Sequence, residues 1–312
     1  MPDSSFNQRT ISAPISCQGV GLHTGAQVNL TLLPALENHG VVFARTDVAG
    51  KPTIPARAQH VVDTALATTL GRDGVRVSTV EHLLSAINGL GLDNLRVEVD
   101  GPEVPIMDGS AAPFEALIRS AGVRVQEAPK RFVVIKKPVT VVEGDKEATL
   151  SPARSFKVSC TIDFKHPLIK DQVFELDFSH HSFTREIARA RTFGFLKDVE
   201  ALQRMGLAKG GSLENAIVVD EYSILNPEGL RFPNEFVRHK ILDCIGDMAL
   251  FGHPLIGHLK VNKTGHALNH KLVEKVLSDP SSYLVVAAFQ RDVERLDLRL
   301  PDLAGSAEPL VA

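Results

Sequence analysis

Cysteine is scarce in this 312-residue chain: Cys17, Cys160 and Cys244 are its three, far apart and with no Cys-x-x-Cys pair. That excludes a disulfide framework and a cysteine-rich zinc site, and it points to a reducing compartment. An excess of either charge is also missing. Lys and Arg number 34 against 37 Asp and Glu, a net charge of −3 and a pI near 6.5, which gives no reason to expect nucleic acid or an anionic membrane as partner. No window reaches the ~18 uninterrupted apolar residues of a membrane span. The start, Met-Pro-Asp-Ser-Ser, lacks the basic segment and apolar core of a signal peptide, so a cytoplasmic protein is expected. Three catalytic signatures are absent. Gly89-x-Gly91 has no third glycine at the right spacing and ends a helix, so no dinucleotide loop is present. Neither the Gly-x-Ser-x-Gly elbow of serine hydrolases nor His-Glu-x-x-His of zinc proteases occurs.

What is present suffices for a large core: 44% of the residues are hydrophobic, and the length suggests about two domains. The stretch Arg238–Asp247 reads as helix. Phe236, Ile241, Leu242, Ile245 and Leu250 recur at three- and four-residue spacings with no proline inside. His239 and Asp243, four apart, project from one face, and an imidazole and a carboxylate so placed can both reach one Zn2+. Asp247 lies another turn on and can orient a further group beside the metal. Alone, His-x-x-x-Asp is a weak signal, frequent on soluble helices.

Strands are expected at Gln8–Ile15, Ala26–Leu33 and Val41–Thr46, with alternation clearest over Gln27–Leu32. Between the first two, Gly19-Val20-Gly21-Leu22-His23-Thr24-Gly25 makes a tight turn that presents His23, or a plain hairpin loop in which the histidine is incidental. A helix starts after Ser78-Thr79, either of which can N-cap it, and Gly89 ends it. A strand Asn94–Val99 and a helix Ala112–Ala121 follow. The polar run Glu127–Arg131 suggests a boundary between an N-terminal α+β domain, 1–128, and a C-terminal one, 129–301. The second half offers strands at Phe132–Val142, Glu147–Pro152, Lys157–Phe164 and Glu175–Phe178. A β-α-β insertion near 193–220 carries a helical run Lys197–Gly206 closed by Gly210-Gly211. After the central helix come a strand Ile256–Val261, the segment Gly265–His270 and a helix Lys271–Ser278. The tail, 302–312, is expected to fray. Both halves run strands, helix, strand, helix, which suggests two similar α+β domains.

A catalytic zinc takes three protein ligands and keeps one position open. His82 is the best third ligand, because its neighbour Glu81 can take a proton from water at the metal. A polar first helical turn that favours the dipole is the plainer reading of the same pair.

Ser78-Thr79-Val80-Glu81-His82-Leu83, Pro105-Ile106-Met107-Asp108-Gly109-Ser110, Arg191-Thr192-Phe193-Gly194, Phe236–Asp243 and Gly265-His266-Ala267-Leu268-Asn269 together resemble the UDP-3-O-acyl-N-acetylglucosamine deacetylases of lipid A biosynthesis. The likeness runs in order from about Gln8 to Ala288 and includes Gly19–Gly25. It implies a zinc-dependent amidase acting on a nucleotide sugar that carries an acyl chain, in the cytosol of a Gram-negative bacterium. The implied fold is two α+β domains, each a sheet packed on helices, with the helices sandwiched between the sheets and the metal at their junction. The implied ligands are His82, His239 and Asp243. Glu81 is the implied base, and His266, oriented by Asp247, the second acid/base group. Thr192 and the metal hold the developing oxyanion. Substrate contacts are expected at Phe193, Lys240, Lys263, Gly211, His23 and Leu202, although Lys263 reads equally as a solvated surface charge. Ala65, Ala67 and Ala208 depart from the family pattern at positions that tune an acyl passage. The resemblance places that passage in the insertion Phe193–Val218, rich in Phe195, Leu196, Val199, Leu202, Met205 and Leu207. Burying the chain there is worth about 0.8 kcal/mol per CH2. Packing of the insertion on its own domain would use the same residues. A monomer is expected. Two competing readings are a catalytically silent relative and a zinc amidohydrolase of another acylated sugar.

Overall fold

The protein is described by a computed structural model over residues 6–301; the expected tail lies outside the described residues. The first half runs β1 (Asn7–Ile11), β2 (Ile15–Val20), β3 (Gln27–Pro34), β4 (Val41–Arg45), β5 (Thr53–Pro55), β6 (Val61–Asp63), β7 (Thr69–Arg72), β8 (Val75–Val77), α1 (Glu81–Gly89), β9 (Leu95–Val99), α2 (Ala112–Ala121) and β10 (Val123–Pro129). The second runs β11 (Arg131–Ile135), β12 (Val139–Glu143), β13 (Lys146–Ser151), β14 (Phe156–Asp163), β15 (Asp171–Asp177), the single turn α3 (His180–Ser182), β16 (Phe193–Phe195), α4 (Leu196–Arg204), β17 (Ile217–Val219), α5 (Glu235–Met248), β18 (Leu255–Asn262), α6 (His266–Leu277), β19 (Tyr283–Ala287) and α7 (Gln290–Arg295).

Alternation builds both sheets. In β3, Val28, Leu30 and Leu32 point inward, and in β14 Phe156, Val158, Cys160 and Ile162 do the same. The first sheet has the order β2-β3-β9-β4-β5, with β4 and β9 parallel. The second centres on β18. Its first residues pair in parallel with β11, and the rest lies between antiparallel β13 and parallel β14. Helices fill the space between the sheets. α2 packs on β2 and α1, α1 on α5, α5 on β14 and β15, and α6 on α5, β12 and β13. One continuous apolar core joins both halves, from Leu30 and Phe43 through Leu83 and Ile245 to Val158 and Leu259. The chain is thus mixed α+β with its helices between two sheets.

Several boundaries differ from the sequence reading, each for a local reason. Ser12-Ala13-Pro14 splits the expected first strand into β1 and β2, and Lys136-Lys137-Pro138 splits Phe132–Val142 into β11 and β12, because proline cannot donate to a ladder. The polar run 127–131 is strand on either side of Lys130, with β10 before it and β11 after it. β10 continues through Pro129, pairing Ile11↔Val123 and Asn7↔Pro129. Lys130 is buried, with Nζ donating to the Gly91 carbonyl at 2.8 Å and to Asp93 Oδ2 at 2.5 Å. Its aliphatic stem and a paired charge explain why a polar residue enters the core.

Candidate metal centre

The site forms where α5 presses on the first turn of α1. Gly246 makes this possible: a Cβ there would lie 2.1 Å from the Glu81 carbonyl oxygen. Twelve of the fourteen residues of α5 are buried, so the polar groups on its inner face must find partners inside the protein. The entry to α1 differs from the expected cap. Neither Ser78 nor Thr79 caps it. Thr79 takes φ +58° and gives its hydroxyl to Glu103 Oε1 at 3.0 Å, and Ser78 pairs its hydroxyl with Thr69. The buried Glu103 competes for the capping hydroxyl and wins.

His82, His239 and Asp243 are all buried, with a ligand atom from each lying within 4.8 Å of the others. Asp243 Oδ1 is 3.2 Å from His239 Nε2 and 3.6 Å from His82 Nε2, yet it has no hydrogen-bond partner. His239 Nδ1 donates to the Ala190 carbonyl at 3.0 Å, which leaves the Nε2 lone pair facing the cluster. Burial is the main cause that keeps the His239 imidazole below its usual pKa and hence neutral. Burial would raise Asp243, but His239 and Lys240 outweigh it and hold the carboxyl well below the usual range. The His239 and His82 imidazoles and an ionised, unpartnered carboxylate oxygen of Asp243 fit a divalent cation of the zinc type.

Beside this trio, Glu81 Oε2 accepts the Thr68 amide at 3.1 Å and Glu81 Oε1 lies 3.6 Å from His266 Nε2. Burial pushes Glu81 up to about 7 against the pull of His266, with Asp247 and Asp243 adding to the rise. His266 is the first residue of α6, not part of a preceding loop. Its Nδ1 donates to Asp247 Oδ2 at 3.0 Å. Burial would lower it, but the Asp247 and Glu81 carboxylates prevail and raise it to about 10. Asp247 is saturated by further donors: Thr68 Oγ1 at 2.6 Å on Oδ1 and Asn269 Nδ2 at 2.8 Å on Oδ2.

The strap 190–193 runs alongside. Arg191 anchors it, buried, through Nε to Glu235 Oε1 at 2.9 Å and Nη2 to the Gly229 carbonyl at 2.7 Å. Thr192 donates its amide to the Gly109 carbonyl at 2.8 Å. The Phe193 ring lies 6.4 Å from the His239 ring and 4.9 Å from that of Phe236. Lys240 Nζ is 5.7 Å from the centroid of Phe193 and 2.8 Å from Asp243 Oδ2. The remaining expected contacts lie elsewhere. Leu202 is half-buried on α4, between the parallel strands β16 and β17 in the chain. The turn carrying His23 is tied to Glu103, which accepts the His23 amide at 2.9 Å, and the Leu22 carbonyl accepts the Gly210 amide at 3.0 Å beside Gly211. Lys263 is engaged by two carboxylates, Asp163 at 2.7 Å and Asp145 at 3.0 Å, and these rather than groups of the cluster are its partners. Ala65 is exposed, whereas Ala67 and Ala208 are buried.

Thr68 and Asn269 are the residues that sequence reasoning missed. Asn269 had a usable signal, standing three residues after His266 on the same helix face. Thr68 had none, because nothing in Ala67-Thr68-Thr69 foretells a contact with Asp247.

A buried His-His-Asp trio, a desolvated carboxylate beside it and a histidine held cationic by a second carboxylate are the working set of a metal-dependent hydrolase. Comparison with known proteins narrows the class. Residues 8–278 match the UDP-3-O-acyl N-acetylglycosamine deacetylase family. A UDP-3-O-acyl-N-acetylglucosamine deacetylase of Myxococcus xanthus is 68% identical across 100% of both chains. Those of Anaeromyxobacter dehalogenans and Acidithiobacillus ferrooxidans are 57% and 56% identical, covering 96% and 87% of this chain and 97% and 90% of their own. The chain belongs to the UDP-3-O-acyl N-acetylglycosamine deacetylase family.

Proposed function

We propose that the chain hydrolyses the N-acetyl group of UDP-3-O-acyl-N-acetylglucosamine to acetate and the free amine, with Zn2+ held by His82, His239 and Asp243. Family membership makes it a deacetylase, a hydrolase of lipid A biosynthesis. When bound, the zinc supplies a Lewis acid that polarises the acetyl carbonyl and acidifies water. Glu81, raised to about 7, is basic enough to take the proton of the attacking water near neutral pH. Water oxygen adds to the acetyl carbon to give a tetrahedral oxyanion, and the C–N bond then breaks as the amine nitrogen takes a proton. The cationic His266, fixed through Nδ1 by Asp247, presents Nε2 to stabilise the oxyanion or to give the leaving amine its proton. The Thr192 hydroxyl is the second oxyanion donor in this reading. Phe193 and Lys240 face the sugar and its phosphates, and the turn at His23, together with Gly211, bounds the far side. The half-buried apolar residues of α4, Leu202 among them, carry the acyl chain. Lys263 reaches the substrate's diphosphate in this reading only by exchanging its pairs with Asp163 and Asp145. The enzyme acts in the cytoplasm as a monomer.

The observation that carries the reading is the buried Asp243 Oδ1, partnerless between two imidazole nitrogens and next to the Glu81–His266 pair. The test is acetate release by the zinc-quantified protein from the acylated nucleotide sugar beside the same sugar without its acyl chain. Release from the acylated substrate alone, at one zinc per chain, is the expected result. Release from both removes the acyl passage, and none from either, with zinc bound, makes the chain a silent relative.

A further inference from the structure

The far ends of α1 and α5 enclose a second cleft that shares no lining residue with the metal cluster, Glu81, His266 or Phe193. It is a cavity of about 170 Å3 between the two halves of the chain, floored by Leu84 and Ile87 of α1 and closed by Ala249 and Gly252. At ~30 Å3 per water, it has room for a few waters or one small anion. Two arginines and a histidine line it from three segments, Arg57 after β5, Arg131 at the start of β11 and His253 after α5, beside the amide side chains of Gln8, Asn38, Asn88 and Asn94.

The charge there is unbalanced. Among the described residues, neither Arg57 nor Arg131 forms an ion pair with a carboxylate. The one hydrogen bond of the Arg57 guanidinium runs from Nη1 to the Phe251 carbonyl at 3.1 Å. That contact ties Arg57 to the last residue of the 3-10 turn Ala249–Phe251 that follows α5, and leaves the other guanidinium N–H groups without a partner among the described residues. The single carboxylate in the lining, Asp93, is already neutralised by Lys130 and also accepts the Arg9 amide at 2.8 Å. His253 is driven down to about 4, first by burial and then by Arg57 and Arg131, which places all three groups in one positive field. At neutral pH its imidazole is uncharged and offers one N–H donor. Arg57, half-buried, and Arg131, exposed at the rim, bring two positive charges to the lining of one concave space, where they add to a positive potential.

We propose that this cleft binds a small oxyanion of the phosphate type, held by Arg57 and Arg131 with His253 beside them, at a site separate from that of the substrate. Planar guanidinium forks match the edge of a tetrahedral oxyanion. Inorganic phosphate and the phosphate end of a small ester both carry that chemistry.

The test uses the zinc-loaded full chain. Inorganic phosphate, glycerol 3-phosphate and UDP are titrated by calorimetry and by thermal shift at constant ionic strength set with chloride. Wild type is expected to bind phosphate saturably at one per chain with a rise in Tm. Arg131→Gln and Arg57→Gln, each removing charged hydrogen bonds, are expected to weaken that binding by about tenfold or more while kcat and KM for the deacetylation stay at wild-type values. Arg131 is exposed at a strand start, so its variant separates binding from folding should Arg57→Gln suffer from losing its bond to the Phe251 carbonyl. Equal affinity for glycerol 3-phosphate indicates an ester headgroup, and preference for inorganic phosphate the free ion; either supports the site. No saturable binding, or unchanged binding in Arg131→Gln, overturns it. A rise in KM together with lost UDP binding in the variants also overturns it, because the cleft would then be part of the substrate site.

Discussion

Asp247→Asn isolates the electrostatic half of the mechanism. The change keeps the shape of a fully buried side chain and removes one negative charge. His266 stands at about 10 in the wild type because Asp247 and Glu81 overcome its burial. Each unit of that rise is about 1.4 kcal/mol of preference for the cation. The asparagine does more than remove charge. Asp247 Oδ1 accepts from Thr68 and Oδ2 from both Asn269 and His266. If the new amide keeps its oxygen toward the Thr68 hydroxyl, its NH2 meets His266 Nδ1 and donates to it, and the Asn269 amide loses its acceptor there. The histidine then holds its single proton on Nε2 and is neutral. The sign follows: a group needed as a cation is competent below its pKa, so the alkaline limb of kcat/KM falls at the His266 pKa. Wild type should keep activity until about pH 10. In the variant that limb should move down by roughly two units or more, for a lost contact ion pair worth about 3 kcal/mol or more in a buried site. The stability term runs the same way. A raised histidine pKa stabilises the fold fully below the ordinary value near 6.5 and loses that contribution as pH passes about 10. The assay is a pH profile of acetate release with zinc content held at wild-type level. An unmoved alkaline limb would refute the pairing of Asp247 with a cationic His266.

Glu81→Gln should leave zinc stoichiometry intact and lower kcat by about 10^2- to 10^4-fold, the usual worth of a positioned base; loss of metal by atomic absorption would instead make Glu81 a ligand. Thr68→Val removes the hydroxyl that donates to Asp247 Oδ1 at 2.6 Å and strands a buried charged oxygen, so unfolding free energy should fall by about 1.5–3 kcal/mol. Thr68→Ser should restore it, and equal stability of valine and threonine forms in denaturant titrations would remove the contact from the account. Gly246→Ala places a Cβ 2.1 Å from the Glu81 carbonyl, forcing α1 and α5 apart at a cost of about 1–3 kcal/mol. Both Tm and kcat should drop, whereas an unchanged Tm by calorimetry would show that the helices are not held at that distance.

Much of the local order is legible in the residue pattern. The alternation of Val28, Leu30 and Leu32 announces β3, and the spacing of His239, Asp243 and Asp247 announces one helix face. Where boundaries were missed, the cause was a backbone fact with a small side-chain signature. Pro14 and Pro138 interrupt ladders inside stretches that read as single strands. The burial of Lys130 has no signature in its own segment, because its partner Asp93 stands 37 residues away.

Periodicity decides what shares a face within one element, because 3.6 residues per turn is a local property of the backbone. The sequence by itself therefore determined the α5 triad and the elements of an α+β chain, and through its family likeness the identity of the other candidate residues. Only the tertiary structure decided that Glu81 and His82 meet that triad, through the close approach at Gly246, and that Thr68 and Asn269 complete the surroundings of Asp247. It alone decided that Lys263 pairs with Asp163 and Asp145. The pKa values of Glu81 and His266 belong to that second class as well. Desolvation and the field of neighbouring carboxylates are sums over everything packed around a group, and no window of sequence contains them.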